Sequence, residues 1–146
     1  MFVYGSLMFD EVWGRVVKGR YDSFPATASH LVRLAVPGET YPAAVPLEGA
    51  SIQGLVWQNV GLSDLERLDA FEGREYTRVS IEVLPVSCAG TNQAMIKPYT
   101  AWIYLWKQPE LLNSEMLWNV EAFKNEGLPL FLAKHVGSWQ QTGVRN

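Results

Sequence analysis

SDLERLDAFEGREYTRVSIEVLPV, residues Ser63 to Val86, carries a helix, its stop and a strand in one run. Ser63 and Glu66 have capping-box spacing, in which the hydroxyl accepts from the backbone N–H three residues on and the carboxylate reaches back. Gly73 is the predicted stop, because glycine enters the left-handed region at little cost. From Tyr76 the period changes. Thr77, Val79, Ile81 and Val83 alternate with Tyr76, Arg78, Ser80 and Glu82 over a predicted strand from Tyr76 to Val86.

At about 100° per residue, Leu65, Leu68 and Glu72 share one face of the helix, with Asp69 beside them, while Arg67 and Ala70 point away. Glu72 thus combines two unfavourable placements. It lies in the last turn, where unpaired carbonyls carry partial negative charge, and it projects from the leucine stripe that packs on the core. A carboxylate desolvated there has its pKa raised. The competing reading is a Glu at the border of the stripe that pairs with Arg74 or Arg78.

Outward from this stretch, strands prevail. Phe2-Val3-Tyr4 is a short strand cut by Gly5, and Met8 to Val17 reads as a brief helix weakened by Gly14. Ala26 to Val36, Tyr41 to Leu47 and Ser51 to Val60 alternate as strands, with turn signals at Pro37-Gly38 and Glu48-Gly49. Ala101 to Trp106 is a further strand, and Ser114 to Glu126 and Leu128 to Val136 read as helical. The pattern predicts an α+β fold: a small, mixed, mostly antiparallel sheet curled into a barrel with a few flanking helices.

The 146 residues are the length of one domain, expected over 1–146, and 48% hydrophobic with 18% charged residues is a globular composition. A net charge of -3 with no Lys/Arg cluster argues against nucleic acid as a partner. No apolar run is long enough to span a membrane and the N-terminus lacks signal-peptide character, so a cytoplasmic protein is expected. The single cysteine, Cys88, excludes an intramolecular disulfide and a cysteine-rich zinc site, and no basic neighbour activates it. His30 and His135 read as partnered or surface histidines, so no metal is expected. Six tryptophans leave room for an exposed aromatic patch.

Tyr4-Gly5-Ser6-Leu7 after the first strand, Tyr41-Pro42-Ala43, Gly54 in a strand, and Leu68-Asp69-x-Phe71-Glu72-Gly73-x-x-Tyr76-x-Arg78 stand in an order and spacing that resembles the gamma-glutamylcyclotransferase-like family. The likeness spans Phe2 to Val86, with Ala101 to Trp106 fitting the closing strand. The motif-bearing part is thus about 1–108, and the tail from about 109 to 146 carries no motif. What the resemblance implies is a small barrel with a pocket at one end. There, Tyr4, Gly5, Ser6 and Leu7 would hold a γ-glutamyl or related acyl unit, and Glu72 would be the catalytic acid/base.

The residues suit those roles. Gly5 allows a turn and close backbone approach, and successive N–H groups in such a turn form an anion-holding nest. Cyclisation of a γ-glutamyl amide needs the α-amino group free, and a carboxylate of ordinary pKa, about 4.3, would take its proton from an amine near 8 at about 5 kcal/mol uphill. A raised Glu72 pKa closes that gap, and the nucleophile is already tethered to its electrophile, so no cofactor is expected. The implied activity is release of 5-oxoproline and an amine or amino acid. The alternative is a non-catalytic binding module that keeps the pocket. Ser6 as nucleophile is disfavoured, because neither histidine is placed to activate it and the Gly-x-Ser-x-Gly pattern is missing. Asp69 stays outside the catalytic set.

Overall fold

A computed structural model of the chain describes residues 1–86 and 96–136. Among the described residues five strands form one antiparallel sheet in the order β1-β3-β2-β4-β5: β1 (Phe2–Val3), β2 (Ser23–Ala35), β3 (Pro42–Trp57), β4 (Tyr76–Pro85) and β5 (Tyr99–Trp106). The α+β, antiparallel reading holds, but the sheet curls without closing. No β1–β5 ladder joins its edges; instead the Tyr4 hydroxyl, just past β1, donates to the Tyr104 carbonyl of β5 at 2.5 Å. "Barrel" therefore describes the curl and not a closed ladder.

The curl rests on alternation. Phe2 and Tyr4 join Ala26, Ala28, Ala44, Ile52, Val56, Val83 and Ile103 in one buried cluster, while Val3 between them joins a second cluster with Trp13, Leu65 and Leu68. Both faces of β1 are thus covered. Gly54 makes this possible: a Cβ there would stand 2.2 Å from the Val3 carbonyl oxygen. The second cluster is roofed by α1 (Asp10–Val16), whose Trp13 stacks on Trp57 at 4.6 Å, and by α2 (Leu62–Glu72).

Three expectations need correction. Glu48-Gly49 does not separate two strands; β3 runs through it. The register instead shifts between Ser29 and Leu31, where His30 (φ 62°) stands in β2 and its Nδ1 accepts from the N–H of Gly49 (φ 85°) at 3.2 Å. This is a bulge, which takes the same turn-forming residues without ending the strand. The capping box is also not formed. Gly61 caps α2, Ser63 lies inside it, and the first-turn carboxylate of Asp64 does the binding, accepting from Lys18 N, Gly19 N, Tyr21 Oη and Arg67 Nη1 at 2.6–2.9 Å. Asp64 is buried, so loop donors that would otherwise lack partners select it over Ser63.

Third, the tail makes a 3₁₀ turn at Pro109–Leu111, but the stretch expected to be helical from Ser114 becomes so only at α3 (Val120–Ala122), where the Asn119 side chain accepts from Ala122 N. A π-helical turn, Phe123–Gly127, α4 (Leu128–Phe131) and a second π-helical turn, Leu132–Val136, follow. Before that, Leu117 bridges to Leu34 and Ala35 N donates to Met116 O, so β2 captures backbone expected to be helical. Cys88 and the side chain of His135 lie outside the described residues. Among the described residues no helix is long and apolar enough to cross a membrane.

Candidate active site

A cavity of about 560 Å³ opens between the β1 end, the C-terminus of α2 and the tail. Its lining includes Tyr4, Gly5, Ser6 and Leu7 on one side and Glu72 on another, so the five residues singled out in the sequence meet in one place. Tyr41, Pro42, Phe71, Arg74, Tyr76, Tyr104 and Phe131 also line it.

The loop is held rigidly. After β1 the chain makes a single 3₁₀ turn, Ser6–Met8, with Met8 N bonded to Gly5 O and Phe9 N to Ser6 O. The N–H groups of Gly5, Ser6 and Leu7 begin that turn and have no partner within it. The carbonyls on either side are occupied: Arg33 Nη1 donates to Tyr4 O at 2.9 Å and Trp57 Nε1 to Leu7 O at 3.2 Å. Gly5 has a negative φ (φ -133°, ψ -130°), so its need for glycine is not a left-handed turn. A Cβ there would stand 2.7 Å from the Pro42 ring. This contact explains why Tyr4-Gly5 and Tyr41-Pro42 belong to one pattern.

Glu72 is the last residue of α2. Gly73 ends the helix at φ 83°, ψ -167°, a positive-φ, glycine-favouring conformation, with its N–H on Asp69 O at 3.1 Å. No basic residue lies in the last turn. Arg78, a sequence candidate for pairing Glu72, is bound elsewhere: its Nε and Nη2 grip Asp69 at 2.8 and 3.2 Å, and its guanidinium lies 4.4 Å from the Trp102 ring centroid. Tyr104 Oη donates to the same Asp69 at 2.7 Å. Burial alone would raise the Asp69 pKa, but these two donors and the Arg78 charge hold it low. Among the described residues no hydrogen bond or ion pair reaches the Glu72 carboxylate.

Glu72 is half-buried, open to the cavity and otherwise packed among protein atoms. Desolvation pushes its carboxyl up to about 8. Burial, and then the neighbouring Glu72 charge, raises Tyr4 well above the ordinary phenol value. Tyr76 and Tyr104 are raised chiefly by burial as well. These phenols therefore remain protonated donors at neutral pH: Tyr76 Oη donates to Pro42 O at 2.7 Å, and Tyr4 Oη accepts from Ala44 N at 3.2 Å while donating to Tyr104 O.

Tyr41, Tyr76, Tyr104 and Phe131 are lining residues that the sequence reading did not assign to the site. Tyr76 and Tyr41 stood in the quoted motifs, which was their only signal. Phe131 had none, because a lone Phe in a helical tail reads as core. Among the described residues no group of three or more His, Cys, Asp or Glu is placed to hold a metal ion.

A family model described as "Gamma-glutamyl cyclotransferase, AIG2-like" matches residues 1–122. AIG2-like protein A of Arabidopsis thaliana is 31% identical over 124 residues, covering 85% of this chain and 71% of the relative. AIG2-like protein D of the same plant is 28% identical over 132 residues, covering 90% and 83%. A solution structure of an Arabidopsis thaliana protein superposes with a TM-score of 0.65 at 28% identity, covering 90% of this chain and 84% of that one. A gamma-glutamyl cyclotransferase structure superposes with a TM-score of 0.52 over 73% of this chain and 64% of its own, at 16% identity, a likeness of fold alone.

Proposed function

The chain belongs to the gamma-glutamyl cyclotransferase, AIG2-like family, and we propose that it cyclises a small γ-glutamyl amide to 5-oxoproline with Glu72 as general acid/base. The observation that carries the reading is the Glu72 carboxylate: among the described residues no cation pairs with it, its pKa is raised to about 8, and it lines the same cavity as the Tyr4–Leu7 turn.

In this reading Glu72 takes a proton from the substrate's α-ammonium group, whose nitrogen lone pair attacks the γ-carbonyl carbon and closes the five-membered lactam. Collapse of the tetrahedral intermediate breaks the bond to the leaving nitrogen, which takes the proton from Glu72. The surplus proton on the ring nitrogen follows through the same carboxylate. With the Glu72 pKa near that of an α-amine, about 8, the first transfer is close to thermoneutral instead of about 5 kcal/mol uphill. The N–H groups of Gly5 to Leu7 bind the α-carboxylate or the developing oxyanion. Ring closure within one molecule leaves the enzyme mainly to position the chain.

Incubating the protein with a panel of γ-glutamyl amides and assaying 5-oxoproline tests this. Product from at least one amide, abolished by Glu72→Gln, is expected. Tight binding of the panel with no product would replace the enzyme by a binding module.

A further inference from the structure

The cavity exceeds what the acyl group needs. At about 560 Å³ it falls in the range of pockets for drug-sized molecules, about 300–1,000 Å³, whereas a γ-glutamyl unit is a five-carbon chain. The remaining space falls to the leaving amine, and its walls are aromatic. Phe131 stands 6.0 Å from Phe71 and 6.4 Å from Tyr41, ring centroid to centroid and near edge-to-face in both cases. Tyr41 continues the cluster to Tyr76 at 6.4 Å. Phe71 directly precedes Glu72, so the rings begin beside the proposed base. The charged lining residues Arg74 and Glu75 are exposed.

Phe131 comes from outside the segment that the family model matches, residues 1–122. Its position is nonetheless fixed from the loop that would hold the acyl end. Phe123 packs on it at 5.9 Å and on Trp118 at 5.3 Å. Trp118 Nε1 donates to Thr40 O at 2.8 Å, and its ring lies 5.0 Å from the Arg33 guanidinium, which itself holds the Tyr4 carbonyl. The tail thus sets one wall of the cavity at a defined distance from the Tyr4–Leu7 turn.

We infer that Phe131, with Phe71 and Tyr41, forms a specificity wall that selects γ-glutamyl amides whose leaving amine carries an aromatic or large apolar group. The inference rests on the cyclotransferase reading. An aromatic group gains by area buried and by edge-to-face contact with these rings. A charged group against them would be desolvated without a partner.

The test compares γ-glutamylbenzylamide with γ-glutamylmethylamide, which differ in bulk and not in the kind of amine released. Wild-type kcat/KM should favour the benzylamide about tenfold or more, chiefly through KM. Phe131→Ala should shrink that ratio to about threefold or less, and Phe131→Leu, which keeps apolar bulk, should fall between and serves if the Ala variant does not fold. A wild type without preference, or a ratio unmoved by either substitution, overturns the wall. If neither amide turns over, calorimetric Kd values read the same ratio. A preference that depends on Phe131 would then keep the wall and sink the reaction, and no preference would sink the wall.

Discussion

Glu72→Gln keeps the shape of the side chain and removes its proton chemistry, and the structure sets the size of both consequences. General acid/base catalysis contributes about 10²–10⁴-fold. In the proposed reaction Glu72 would carry protons both from the nucleophile and to the leaving group, so single-turnover cyclisation should fall about a thousandfold or more, roughly 4 kcal/mol of transition-state stabilisation. Stability should move the other way. Desolvation raises the folded pKa from 4.5 to about 8, so between those values the folded chain binds the proton more tightly than the unfolded one. The Glu72 contribution to native stability is therefore greatest below pH 4.5 and is lost as pH rises through 8. From those two pKa values the wild type loses about 2.6 kcal/mol between pH 6 and pH 9 that the Gln variant does not lose, and less where cavity solvent screens the charge. For a chain of this length that is a widening of the Tm gap by about 5–10 °C at most, with the variant the more stable at pH 9. Single-turnover rates against pH and thermal melts at both pH values measure these effects; the wild-type rate should rise with pH through a limb near 8. Wild-type cyclisation by the variant would end the case for Glu72 as the base. A Tm gap equal at both pH values would show that its carboxyl is not desolvated.

Gly54→Ala puts a Cβ against the Val3 carbonyl at 2.2 Å, backbone against strand, so β1 must part from β3. A loss of about 3 kcal/mol or more, together with the Tyr4–Leu7 turn and activity, is expected in denaturant melts. Asp64→Asn leaves four donors facing an amide that can satisfy only some of them, and should cost about 2–4 kcal/mol at pH 7. Despite burial, those donors hold the wild-type Asp64 carboxyl at about 2, so the advantage over Asn is full above pH 4 and fades as pH falls through 2, which melts at pH 7 and pH 2 would reveal. Tyr76→Phe strands the Pro42 carbonyl in a buried site and should cost about 1–2 kcal/mol, with activity falling as the Pro42–Gly5 contact loosens. An unchanged melt and rate would show that this hydrogen bond does not hold the cavity wall.

Read alone, the sequence made legible the helix over the Ser63 to Glu72 region, its glycine stop, where most of the strands lie and the stripe that puts Glu72 with Leu65 and Leu68, because these follow from periodicity and from what glycine alone tolerates. Through the order of its motifs it also marked Tyr4 to Leu7 and Glu72 as one group, which the fold brings to a single cavity. It could not tell a bulge from a turn at Glu48-Gly49, since both use a positive-φ glycine and only pairing with β2 decides between them. Nor could it choose Asp64 over Ser63 at the start of α2, because the deciding donors come from Lys18, Gly19 and Tyr21, far away in the chain. Only tertiary structure gave Arg78 to Asp69 and so took one candidate cation away from Glu72, and only it brought Phe131 to the cavity. Local sequence fixes which way a side chain faces, but which charge answers another, and which ring completes a wall, depends on contacts that the curled sheet and the returning tail create.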